Sequence, residues 1–244
     1  MLGMIQMHAI NGDSSRYVSI GAFASGTVTC LPPYPTKIAA GNTLLLVLAH
    51  QGSMTSPTGF AGWTALGDRS IDGDYITKIY SKDSVSGSES GTLSLGLTAG
   101  AGSPFMGGRI LNYRNISTTG VASSGSWDAS GGTAVSFQNS STVDPSAEWQ
   151  NEDIVLWPVA LNTHSYTYSD VSFDTDGDAV LKRYNQRSFD TDSTAGGYAL
   201  LITEAVINET SGGSGGSWIF NATASGSTAS SPYAAGPIVL LRPG

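Results

Sequence analysis

Five consecutive residues, Asp174-Thr175-Asp176-Gly177-Asp178, set three carboxylates at alternate positions around a glycine. Oxygen-rich loops of this kind hold Ca²⁺, which takes about six to eight oxygen ligands. The twelfth position counted from Asp174 is Asn185, where the common Ca²⁺ loop needs a bidentate glutamate. A solvated acidic turn ahead of a strand at 179–184 accounts for the same residues. Asp174, Asp176 and Asp178 therefore stand as candidate Ca²⁺ ligands, with the turn as the alternative. Asp72-Gly73-Asp74 and Asp190-Thr191-Asp192 are similar turns, and Asp72-Gly73 before a strand is first a hairpin signal.

Other catalytic or metal-binding constellations do not assemble in the sequence. His8, His50 and His164 are too far apart, and without His or Cys spacing partners, to form a zinc set. The Gly/Ser stretches 123–126 and 213–216 read as loops with no helix to follow, unlike a nucleophile elbow. Glu148, Glu152, Glu204 and Glu209 supply carboxylates for glycoside hydrolysis, but no feature brings two of them together. Aromatic residues in or near loops are the other option. Trp63, Trp127, Trp149, Tyr166 and Tyr168 could offer exposed stacking platforms for sugars or protein partners. The competing account puts Trp and Tyr into the core and edges of a sheet protein. Trp157 and Trp218 sit in apolar strands and are expected in the core.

These candidates need a framework, and composition indicates which. Gly, Ser and Thr supply 31, 35 and 23 of 244 residues, while charged residues are only 12%. That excludes a coiled coil or helical bundle. The longest apolar runs, 44–49 and 154–161, fall far short of a membrane helix, so no membrane insertion is expected. The net charge of -8 is concentrated in residues 123–244, which carry four basic and thirteen acidic residues. An acidic surface repels phosphate backbones, so nucleic acid is not an expected partner. Cys30 is the only cysteine, so no intrachain disulfide forms. The first eight residues lack a basic and an apolar signal region, which implies synthesis in a cytosol without a signal peptide.

Strand signals recur along the chain at 17–20, 44–48, 75–80, 92–97, 109–113, 134–137, 154–160, 179–184, 198–204, 218–222 and 238–241. Some alternate with period two, with Tyr75, Thr77 and Ile79 on one face. Others, such as 44–48, are continuously apolar, as in strands buried on both faces. Turn clusters separate them at 86–88, 99–104 and 211–217. The best helix signal is a single capped turn at 144–149.

Four landmarks of the first half recur in order in the second. Residues 41–49 resemble 151–160, 75–82 resemble 179–186, 91–99 resemble 216–224, and 108–114 resemble 236–242. Each strand set alone would leave one sheet face wet, and facing copies would bury both. The expected fold is all-β: a two-sheet antiparallel β-sandwich, jelly-roll-like, with an internally duplicated strand set. An N-terminal arm (1–16) would precede one domain (17–244) built of pseudo-repeats at about 17–122 and 123–244, with 120–132 as the only seam.

The order of short elements carries a resemblance. A Gly-Thr-Val-Thr stretch at 26–29 precedes Ala40-Gly41-Asn42 and an apolar strand. Pro57-Thr58-Gly59, Gly62-Trp63-Thr64, a Tyr-rich strand ending at Lys82 and the run 110–116 follow. Trp218 and a Val-Leu-Leu-Arg terminus (239–242) close it. The pattern over about 17–242 resembles the jelly-roll-like β-sandwich modules of tailed-bacteriophage virion proteins. The resemblance implies a non-enzymatic structural protein on the virion surface, most directly a tail or fibre component meeting the host or neighbouring virion subunits. It also implies a homo-oligomer, often a trimer, and no catalytic residues. A capsid decoration protein uses the same framework. A free carbohydrate-binding module, taking a host surface glycan on the loop aromatics with or without Ca²⁺, is the competing class.

Overall fold

The structure is a computed structural model. It describes residues 16–27, 29–51, 61–71, 75–96, 106–128, 134–139, 152–161, 167–175, 179–192, 198–210, 218–225 and 233–243. Among them the chain is all-β, with antiparallel pairing and no helix. The expected helical turn at 144–149 lies outside the described residues.

The first sheet is centred on β4 (Thr43–Gln51). On one side β4 pairs with β8 (Met106–Tyr113), which pairs in turn with β1 (Tyr17–Ile20) and β2 (Ala24–Gly26). On the other side it pairs with β6 (Tyr75–Lys82) and then β5 (Thr64–Ile71). The order is thus β1-β8-β4-β6-β5, with a two-stranded ribbon of β3 (Thr29–Cys30) and β7 (Leu95–Gly96) beside it. Leucine has no special liking for strands, yet residues 44–48 are all leucine or valine and all fully buried. Tertiary packing decides here: Leu45, Val47 and Ala49 enter one apolar cluster while Leu44, Leu46 and Leu48 enter another on the opposite face. The continuous apolar run is buried on both sides, as its pattern predicts.

The second sheet is centred on β11 (Ile154–Leu161). Its neighbours are β16 (Tyr233–Pro243) and then β9 (Ile116–Asp128) on one side, β14 (Tyr198–Thr210) and then β13 (Ala179–Asp192) on the other. A smaller sheet runs β10 (Ala134–Asn139), β15 (Trp218–Ser225), β12 (Thr167–Thr175). The seam-like stretch is therefore mostly strand, since β9 runs through residues 116–128.

Read from β9, the second sheet has the order β9-β16-β11-β14-β13, which matches β1-β8-β4-β6-β5 strand for strand and in chain order. The ribbon pair β3–β7 falls in the same place as β10–β15. Two sequence pairings shift as a result. The counterpart of β6 is β14, not residues 179–186, which form the edge strand β13. The alignment of β4 with β11 also moves by one residue. Gly41 and Glu152 both take positive φ (82° and 69°), a buried polar residue follows each (Asn42, Asp153), and pairing opens with Thr43↔Tyr113 and Ile154↔Leu241. A one-residue slip exchanges the two faces of a strand, so apolar similarity alone could not fix it.

One cluster draws on both large sheets. Leu45, Ile79, Leu111 and Tyr113 of the first meet Ile154, Leu156, Leu200, Ile202, Val239 and Leu241 of the second. Trp157 is buried in β11, as expected. The second cluster covers the opposite face of the first sheet, where Cys30, Val85, Leu93 and Leu95 close over Leu44, Leu46, Tyr80 and Ile110.

Candidate functional site

Among the described residues the sequence candidates do not converge. Asp174 lies in β12 with its backbone opposite Ile219, while Asp176 and Asp178 lie outside the described residues. Among the described residues no three His, Cys, Asp or Glu side chains gather as a metal set. Trp63 is half-buried against the second cluster. Trp127 and Tyr168 lie in β9 and β12, and Trp149 and Tyr166 fall outside the described residues. His50 is buried within β4.

The structure brings together a different set. On β8, Arg109, Leu111 and Tyr113 alternate toward the second sheet. On β14, Leu200, Ile202, Glu204 and Val206 alternate toward the first. Glu204 is 0% exposed. Its carboxylate accepts hydrogen bonds from Arg187 Nε at 3.0 Å and Arg187 Nη2 at 2.5 Å, and from the Tyr113 hydroxyl at 2.8 Å. Arg187, on β13, also lies over the Tyr17 ring at 3.8 Å, and Tyr17 meets Tyr113 edge to face at 5.8 Å. Beside this group Arg109 grips Asp190 of β13 through both Nε and Nη2, and donates from Nη1 to the Gly21 carbonyl at 2.6 Å.

Burial pushes the Tyr113 hydroxyl far above its ordinary range, and the Glu204 charge adds to this. Burial alone would weaken the Arg187 cation, but the bonds to Glu204 outweigh it and raise its pKa. Both groups therefore keep their protons through the neutral range. A proton shuttle needs a group poised near the working pH, and these two are driven away from it. What the arrangement does is hold: β8 and β1 of one sheet are tied by fixed, charge-assisted bonds to β13 and β14 of the other.

Two further ties lie around the start of β11, the first from the chain ahead of β1 and the second from the end of β16 in the same sheet. Arg16 donates to the Glu152 carbonyl at 2.6 Å, and Arg242 faces the buried Asp153 at 3.4 Å. The strand signal at 198–204 puts Glu204 at a strand end, whereas it sits in the middle of β14. The signal that would have found it is the alternation Leu200, Ile202, Glu204, Val206. An acid in phase with a core face needs a cationic partner, and Arg109, in phase with Leu111 and Tyr113, carries the same message.

Comparison with protein families, with characterised proteins and with solved structures finds no match for this chain.

Proposed function

We propose that this chain is a non-enzymatic structural protein of a tailed-phage virion. It would be displayed on the tail or a fibre, where it meets neighbouring subunits and the host surface. The framework proposed is a two-sheet sandwich whose halves are each jelly-roll-like. The observation that carries this reading is the nested strand pairing, present twice. In the first half β1 pairs with β8, β3 with β7 and β4 with β6. In the second, β9 pairs with β16, β10 with β15 and β11 with β14. With the three-residue β2, which pairs beside β1 on β8, counted as part of the first strand, this pairs first with last, second with second-to-last and third with third-from-last, which is how a long hairpin rolls into a jelly roll, and then the last strand docks on the third. Both β8–β4 and β16–β11 do so. Such rolls serve as building blocks of viral shells and of lectins. A buried cluster in which Tyr113 and Arg187 both hold on to their protons suits a rigid block better than a reactive site.

The test is to locate the chain on particles, by antibody labelling or by density in averaged particle images, and to measure its mass in solution. Tail or fibre density with a symmetric oligomer, a trimer first, supports the reading. Head density moves it to capsid decoration, and absence from particles overturns it.

A further inference from the structure

We propose that the outward face of β5 and β6 carries a shallow binding groove for one neutral pyranose ring. The groove has a volume of about 200 Å³ and is lined by Ala65, Leu66, Gly67, Asp68, Lys78 and Tyr80. Its origin is a β-bulge. Ala65 pairs with Tyr80 and Asp68 with Lys78, while Gly67 pairs with Ile79 and Leu66 is the extra residue. Leu66 turns its side chain to the inter-sheet cluster, where Ile79 also lies. Ala65 and Asp68 consequently stand three residues apart on the outward face instead of two. The gap between them is bordered by a methyl group and by a glycine that has no side chain. Bulges often re-aim side chains beside binding sites in this way.

The lining points to the class of ligand. Asp68 offers acceptors and Lys78 offers donors, and their 3.9 Å separation is too long for a tight pair but suits a hydroxyl bridging the two. The pair is neutral overall, so it selects for polar alternation and not for charge. Ala65 and the ring of Tyr80 supply the apolar surface against which the C–H faces of a sugar pack. A space of this size takes one ring, whereas drug-sized ligands occupy pockets of ~300–1,000 Å³. Asp68 is mostly exposed, with its side chain 67% accessible, so a ligand can reach the groove from solvent. This inference does not rest on where the chain is displayed.

The experiment is saturation-transfer NMR and titration calorimetry on the full chain with the methyl α-pyranosides of glucose, galactose and mannose. At least one should bind in the millimolar range. Ala65→Leu, which fills the groove from an exposed position, should weaken that binding at least tenfold with an unchanged melting temperature. Asp68→Asn should weaken it severalfold and serves as a second variant that leaves packing untouched. Absence of transfer from all three sugars, or binding that both variants leave unchanged, would overturn the proposal, while the particle experiment would stand or fall separately.

Discussion

Replacing Glu204 by glutamine tests the clamp between the sheets directly. The glutamine keeps the shape but removes the charge that two bonds from Arg187 and one from Tyr113 address. Because Glu204 is 0% exposed, no water replaces what is lost. Breaking one side of a buried pair costs ~3–5 kcal/mol, a large part of the ~5–15 kcal/mol that holds a domain folded. At about 2–4 °C per kcal/mol for a chain of this size, the melting temperature should drop by roughly 6–20 °C. Removing both ions, as Glu204→Leu with Arg187→Met, should cost clearly less than the two single changes added together, with a coupling of at least ~1 kcal/mol. The position matching Glu204 in the other half is Ser81, and that matching Tyr113 is Leu241. The fold therefore has an uncharged solution at the same place. Urea unfolding of the wild type, both singles and the double reads all terms. A Glu204→Gln protein within 1 kcal/mol of wild type, or strictly additive singles, would refute the argument.

Gly108→Ala should destabilise by ~1–3 kcal/mol in urea titration, since an added methyl would sit 2.5 Å from Leu48 Cδ2 and 2.7 Å from the Val47 carbonyl in a sheet packed on both faces. Cys30 is fully buried and its thiol is pushed up by burial to about 12 from 9.0, so a disulfide-exchange reagent at pH 8 should label it only after guanidinium is added. The same shift makes stability fall with alkali. Between pH 9 and 12 the unfolded chain has lost a proton that the folded one keeps, so stability declines by ~1.4 kcal/mol per pH unit. Cys30→Ala should flatten that slope by about one proton, leaving the contribution of Tyr113, which has the same sign and begins above its ordinary 10.0.

Strand content was legible because period-two alternation and continuous apolar runs answer to burial on one face or two. The centre of the first sheet follows from 44–48 alone. Pairing was less legible. The edge strand β13 and the inner strand β14 both contain apolar runs, and only hydrogen bonding to β11 separates them. The buried charges were missed for a related reason. Arg109, Arg187 and Glu204 look like surface residues until their phase relative to the core residues beside them is followed along each strand. The aromatic candidates rested on loop position, and Trp63 shows that a ring beside a turn can still pack inward.

The duplicated topology raises a problem that the charges address. Two halves of one design present similar apolar faces, so each could in principle pack against a second copy of itself. Arg109 belongs to the first half and Asp190 to the second, and their bond crosses the interface. Two first halves face to face would leave Arg109 without its acid, and two second halves would strand Asp190. Unpaired buried charge is a penalty on the wrong partner and not only a reward for the right one. Arg109→Asp should accordingly cost several kcal/mol, since it sets two acids together where their side chains are only 17% and 9% exposed. Adding Asp190→Arg should restore most of that loss by reversing the pair. Equilibrium unfolding of the single and double variants, with mass measurements to detect exchanged halves, reads the outcome. A double variant no more stable than Arg109→Asp alone would mean that the pair merely fills space and that the apolar cluster by itself chooses how the halves meet.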